Sequence, residues 1–185
     1  MSIKYKIRDQ TKLHFVTFAV VYWIDVFSRK SYRDIVVDSL RYCQKEKGLE
    51  LYAWCIMSNH VHLIIGTEGA NKLEDILRDL KKYTSSQIIS AIKENKEESR
   101  KEWMLWMFER AGSKNSNNRK YQFWQQDNHP IELSNNLMLE SRLNYIHNNP
   151  IEVGLVLAPE EYLYSSAKNY CNLENEALLD VKLIE

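Results

Sequence analysis

Two runs rich in β-branched and apolar residues, Leu51 to Met57 and His60 to Ile65, are separated only by Ser58-Asn59. A connection that short joins neighbouring strands as an antiparallel hairpin. The hairpin restricts the chain to folds built on an antiparallel sheet. An earlier run, Leu13-His14-Phe15-Val16-Thr17-Phe18-Ala19-Val20, has the same strand character and is apolar enough to be buried.

Three segments carry helical spacing. Ser31 with Asp34 reads as a capping box, and Tyr32, Val36, Leu40 and Cys43 follow on one face until Gly48. Asn71 with Glu74 reads as the cap of a second helix running to about residue 96, with Leu73, Ile76, Leu80, Thr84 and Ile88 in one stripe. Ser134 opens a third, with Leu139, Leu143 and Ile146 on one side. Asn149-Pro150 is expected to end it, because a residue before proline is pushed out of the α region. Residues 111–120 contain no apolar residue after Ala111 and read as a mobile surface loop, and Phe123-Trp124-Gln125 as a short edge strand or ordered loop. The order strand, helix, strand, strand, helix, helix predicts an α+β fold, an antiparallel sheet with helices packed mainly on one face.

A chain of 185 residues is long enough for one core-bearing domain, expected over 1–158, with an acidic extension over 159–185 packed on it or trailing from it. The formal net charge is zero, but the extension holds six acids against two lysines, so its −4 is balanced by +4 on residues 1–158. With 44% hydrophobic and 27% charged residues the composition excludes a disordered chain, a collagen-like fibre and a strongly basic DNA-coating protein. Cys43, Cys55 and Cys171 are odd in number and widely spaced, which gives neither a disulfide framework nor a C-x-x-C metal site and points to a reducing compartment. The uncharged stretch Leu13 to Ile24 is too short to span a bilayer and is a poor signal peptide. The expectation is a cytoplasmic protein with no membrane partner.

On a strand, residues i and i+2 share a face, so His60 and His62 present two imidazoles side by side while Val61 points the other way. Two neutral imidazoles so placed bind a divalent metal if a third ligand joins them. The same pair is also what a solvated sheet face carries with no metal at all. On the third helix Tyr145 and Asn149 are four apart and share one side, with Tyr145 about 100° from the core residue Ile146, at the boundary of core and cleft. The plain alternative is a half-buried aromatic and an asparagine that merely caps the helix. His129 and His147 are further histidines, but His147 lies about 200° around the helix from Tyr145, and neither is taken as a ligand.

The run Ala53-Trp54-Cys55-Ile56-Met57-Ser58-Asn59-His60-Val61-His62-Leu63-Ile64, with Asn144-Tyr145-Ile146-His147-Asn148-Asn149-Pro150-Ile151-Glu152-Val153-Gly154-Leu155-Val156 far downstream, resembles the single-tyrosine HUH transposases. Among them it is most similar to the REP-associated tyrosine transposases. His14-Phe15-Val16-Thr17-Phe18, Phe123-Trp124-Gln125 and Tyr162-x-Tyr164-Ser165-Ser166 share the likeness, which spans roughly residues 12–170. The resemblance implies a ferredoxin-like or RRM-like HUH endonuclease fold. It implies a metal-dependent enzyme that cleaves and rejoins single-stranded DNA at hairpins (REP-like palindromes) through a 5′-phosphotyrosine. Tyr145 would be the nucleophile, and His60, His62 and Asn149 would hold Mg2+ or Mn2+. Some relatives carry glutamine at the position of Asn149, and proline often stands where this chain has Ser58. A free phenol has a pKa near 10, so only about one in a thousand is ionised at pH 7, and attack on a phosphodiester calls for such a metal.

For DNA, Arg78, Lys81 and Lys82 on the second helix and Lys114, Arg119 and Lys120 in the polar loop are the densest bases, since residues 72–120 carry 12 bases and 8 acids. Trp103, Trp106, Phe123 and Trp124 are candidates for stacking on unpaired bases, against the ordinary reading of solvated lysines and core tryptophans. The expected partner is a single-stranded DNA hairpin, bound by a monomer or a homodimer. The competing function is a domesticated, non-catalytic DNA-hairpin-binding protein.

Overall fold

The computed structural model describes residues 7, 9–69, 71–114, 120–126, 128 and 130–184. Its core is a four-stranded antiparallel sheet in the order β2-β3-β1-β4, with β1 His14–Ala19, β2 Leu49–Ile56, β3 His60–Thr67 and β4 Ile131–Glu132. β2 and β3 form the hairpin that Ser58-Asn59 implied, with Ile56 opposite Val61 and Cys55 opposite His62. β1 lies on the other side of β3, pairing Thr17 with His62 and Phe15 with Ile64. Trp124 extends the far edge of β1 through a bridge to Val20, so Phe123-Trp124-Gln125 is an ordered edge segment.

Side chains alternate across β1, and the two sets meet different helices. Phe18 packs edge-on to Trp124, 4.9 Å between ring centroids, and the Trp124 indole donates to Thr84 of α2 (Leu73–Glu94). Phe15, on the opposite face, meets Tyr145 of α4 (Asn136–Glu152). α2 packs along α1 (Lys30–Lys47), so these two helices cover one face of the sheet while α4 covers part of the other. Both faces of β3 are therefore dry: Val61, Leu63, Ile64 and Ile65 are fully buried.

Gly48 ends α1 with left-handed backbone as expected, but the local signals at the starts of the first two helices are replaced by longer-range ones. The Ser31/Asp34 capping box does not form; α1 starts at Lys30, and Asp34 instead accepts from Lys30 and from the Tyr164 hydroxyl. The Asn71/Glu74 cap is likewise absent. Gln10 does that work from far upstream, its side-chain oxygen accepting from the Leu73 amide and its nitrogen donating to Glu74, while Asn71 donates to the Lys47 carbonyl. α4 is capped by Asn135, whose side chain accepts from the Met138 amide, one residue after the expected Ser134.

Asn149-Pro150 does not end α4. The helix continues to Glu152, and Gly154, at φ 74°, closes it as the amides of Gly154 and Leu155 return to Ile151 and Pro150. Pro150 and Asn149 are both buried, and packing of this last turn outweighs the one donor that proline lacks. Residues 111–113 belong to an unexpected helix, α3 (Lys101–Ser113), with Met104 and Phe108 buried. The remainder of the polar loop, residues 115–119 including Arg119, lies outside the described residues, as does His129.

The segment after α4 covers the outer edge of β2. The amides of Ile56 and Ser166 donate to Tyr164 and Trp54 respectively, the Tyr162 hydroxyl donates to the Ile56 carbonyl, and the short helix α5 (Ala167–Tyr170) follows. Farther on, the Lys182 amide donates to Leu51, while Arg41 and Gln44 of α1 donate to the carbonyls of Leu178 and Asp180. Leu179 is buried there.

Candidate active site

β3 delivers the two histidines and α4 delivers the tyrosine. The His60 and His62 rings stand 4.5 Å apart, and the Tyr145 ring lies edge-on to His62 at 5.1 Å. Phe15 completes the floor, stacked on His62 at 5.5 Å and edge-on to Tyr145 at 6.1 Å. Tyr145 is 37% exposed even with its ring against this floor. Sheet alternation and one turn of helix thus bring together residues from distant parts of the chain.

Each histidine is oriented by one neighbour. The Asn59 amide nitrogen donates to the Trp23 carbonyl, which fixes its oxygen as the acceptor facing His60 Nδ1, 2.6 Å away. His60 therefore carries its proton on Nδ1 and keeps a lone pair on Nε2. Thr17 Oγ1, directly across from His62 in the sheet register, lies 2.7 Å from His62 Nδ1. His62 Nε2 is buried with no hydrogen-bond partner among the described residues. An orphaned buried ring nitrogen is unfavourable by about 1–3 kcal/mol unless something binds it. Burial pushes the His60 pKa down to about 4, and burial, with the nearby charges of His60 and Arg142, takes that of His62 to about 3. Both rings are thus neutral and ligand-competent at pH 7.

Two neutral imidazoles aimed into one space, one with an orphaned nitrogen, fit a divalent cation. No group of three or more His, Cys, Asp or Glu suited to a metal occurs among the described residues, so a third protein donor would have to be of another type. Asn149 is buried one turn beyond Tyr145 on α4. His147 points elsewhere, as its position on the helix implied: its Nε2 lies 2.8 Å from Ser166 Oγ and its ring tilts against Tyr170.

The expected DNA contacts are not gathered at this site. Arg78, Lys81 and Lys82 sit on α2, across the sheet from α4. Arg78 is paired with Asp75 and Asp79, and the Lys81 amine donates to the Gln125 carbonyl and the Asn128 side chain. Lys82 and Lys114 are exposed, and Lys120 is exposed near Glu109. Phe123 and Trp124 are buried in the core, whereas Trp103 and Trp106 are 48% and 55% exposed.

The sequence matches the family described as "Transposase IS200 like" over residues 8–109, more than half its length. The chain belongs to this IS200-like transposase family. The matched region contains both histidines and ends before α4. No curated protein matches the chain significantly. Among solved structures the chain is similar to a REP-associated tyrosine transposase bound to a REP hairpin, with a TM-score of 0.67, 16% identity, and 98% of this chain and 94% of that one covered. At that identity the likeness establishes a shared fold. A putative transposase from Deinococcus radiodurans R1 is 27% identical over 48% of this chain and 68% of its own, with a TM-score of 0.38. Among the described residues of this IS200-like transposase, no helix is long and apolar enough to cross a membrane.

Sequence reasoning did not single out Thr17, Asn59, Phe15, Trp23 or Arg142 as parts of the site. Thr17 and Phe15 were accessible in principle, because an antiparallel partner of β3 must present alternate residues to the histidine face. Trp23 was not. It and Tyr22 have left-handed backbone, at φ 57° and 56°, and this turn brings the Trp23 ring edge-on to His60 at 5.8 Å.

Proposed function

We propose that this protein is a metal-dependent transposase and endonuclease that cleaves and rejoins single-stranded DNA at REP-like hairpins, with Tyr145 as nucleophile. The observation that carries this reading is the Tyr145 ring against His62, whose Nε2 has no partner. His60 and His62 would hold Mg2+ or Mn2+, with Asn149 as third ligand, and the bound ion would stabilise charge on the phosphate oxygens. The Tyr145 oxygen attacks phosphorus, forming a 5′-phosphotyrosine and breaking the bond to the 3′ oxygen. The phenolic proton leaves to solvent, and the departing oxygen takes a proton to become a 3′-hydroxyl. Reversal by a second 3′-hydroxyl joins strands without an external energy source, because the phosphodiester energy stays in the phosphotyrosine.

The fold shared with a hairpin-bound relative supports a DNA hairpin as substrate. Action in the cytoplasm, on the nucleoid, by a monomer or homodimer, belongs to the same proposal. Lys82, Lys114, Lys120 and Arg119 are proposed to meet DNA phosphates, with Arg78 and Lys81 exchanging their present partners to do so.

The test is a labelled hairpin with single-stranded flanks incubated with Mn2+. Wild type should form a covalent adduct, Tyr145→Phe should bind the hairpin yet form none, and His60→Ala/His62→Ala should stay inactive at any metal concentration. An undiminished adduct from Tyr145→Phe would refute the assignment. Asn149 where some relatives carry glutamine, together with the zero net charge, motivates one second reading, a non-catalytic hairpin-binding protein, for which wild type itself would bind and leave the DNA intact.

A further inference from the structure

Arg142 stands one turn before Tyr145 on α4 and shares its face, so that Arg142, Tyr145 and Asn149 form one line along the helix. Its guanidinium lies over the Phe15 ring, 5.0 Å from the centroid, on the same ring that floors Tyr145 and His62. The side chain is half-buried, and its charge is felt at His62. Four of the six other arginines among the described residues are matched by carboxylates: Arg29 and Arg100 by Glu98, Arg41 by Asp38, Arg78 by Asp75 and Asp79. Arg142 forms no ion pair among the described residues. It is a cation beside two neutral histidines and a part-exposed tyrosine, with no anion among the described residues to satisfy it.

We propose that Arg142 is a phosphate-binding residue of this site, its guanidinium gripping the non-bridging oxygens of the phosphodiester that Tyr145 attacks. The inference rests on the function proposed above and adds to it a residue that contacts the substrate. A planar guanidinium presents paired N–H donors that match two phosphate oxygens, and the Phe15 face keeps that plane from rotating. Fixed at i−3 from the nucleophile, it orients the phosphorus toward the Tyr145 oxygen and offsets the charge that builds on the equatorial oxygens. Lysine would retain the charge and lose the fork.

The experiment reads binding and chemistry separately, in wild type, Arg142→Ala and Arg142→Lys, each first checked for an unchanged melting temperature. Binding of a hairpin with single-stranded flanks is measured in EDTA against salt. Loss of one phosphate contact should lower the slope of log K on log salt by about 0.7 in Arg142→Ala, with Arg142→Lys near wild type. With Mn2+, adduct formation by Arg142→Ala should fall roughly 100-fold or more and recover partly on adding guanidinium ion, and Arg142→Lys should lie between. An unchanged salt slope together with an unchanged adduct rate overturns the assignment while leaving Tyr145 as nucleophile. A lowered slope in a protein whose wild type forms no adduct supports the phosphate contact and instead sinks the catalytic reading. If Arg142→Ala loses stability, Arg142→Lys decides alone: an adduct rate equal to wild type removes any role for the fork.

Discussion

Thr17 Oγ1 sits 2.7 Å from His62 Nδ1, across the β1–β3 ladder from it. This contact holds the imidazole so that Nε2 faces the Tyr145 side of the sheet. Replacing threonine by valine keeps the shape and removes the oxygen. Thr17→Val should weaken Mn2+ binding by about 10–100-fold, measured by calorimetry, with any strand cleavage restored at higher metal concentration. Equal affinity in both proteins would show that the hydroxyl does not orient the ring.

The histidines make stability depend on pH in a defined direction. Burial lowers the pKa of His60 and His147 to about 4 and that of His62 to about 3, from 6.5. The unfolded chain therefore binds more protons than the folded one below pH 6.5, and stability present above that pH is lost as pH falls toward 4. The urea midpoint should fall steadily between pH 6.5 and 5, before carboxylates begin to titrate. His147→Gln should flatten that slope, and a slope as steep as wild type would show that His147 is not held neutral by burial.

Glu98 is a buried carboxylate between two arginines, accepting from Arg29 and, at 3.2 Å, from Arg100. It ties the start of α3 to the turn before α1. Because the arginines are 36% and 32% exposed, they rehydrate in part when the carboxylate is lost. Glu98→Gln should therefore lower stability by about 2 kcal/mol, less than the roughly 3–5 kcal/mol for breaking a fully buried pair. Urea denaturation at pH 7 measures it.

Gly112, near the end of α3, lies against the Lys120 backbone. A Cβ there would press into the Lys120 carbonyl, 2.8 Å from its carbon and 3.1 Å from the Tyr121 carbonyl carbon. Gly112→Ala should be unfavourable by about 1–3 kcal/mol despite alanine's better helix propensity, a fall in melting temperature of roughly 2–4 °C for each kcal/mol. A higher melting temperature would mean that the approach is relaxed in solution.

The sheet and the shared faces of the candidate residues were legible because both depend on short-range geometry. Alternation fixes His60 and His62 on one face, and a four-residue helix step fixes Tyr145 and Asn149 on one side. Gly48 was legible as the end of α1, but the start of α2 was not, because Gln10 reaches it across a long stretch of chain. α3 was missed for a different reason: Trp103 to Phe108 is apolar without interruption, so the buried spacing of Met104, Phe108 and Ala111 is masked by exposed tryptophans on the other face. Arg142 was hidden because its place depends on a ring from β1, and nothing in the order of residues reports that meeting.

The bond from His147 to Ser166 Oγ has a bearing on stoichiometry. Ser166 Oγ also accepts from the Trp54 amide, so the helix bearing Tyr145 is tied back to the strand beside its own histidines. Phenol and imidazoles of one polypeptide thus lie in contact, the arrangement a site acting within a single chain would use. A site acting within one chain keeps its specific activity constant on serial dilution, where one assembled from two chains loses specific activity in proportion to concentration once the dimer dissociates.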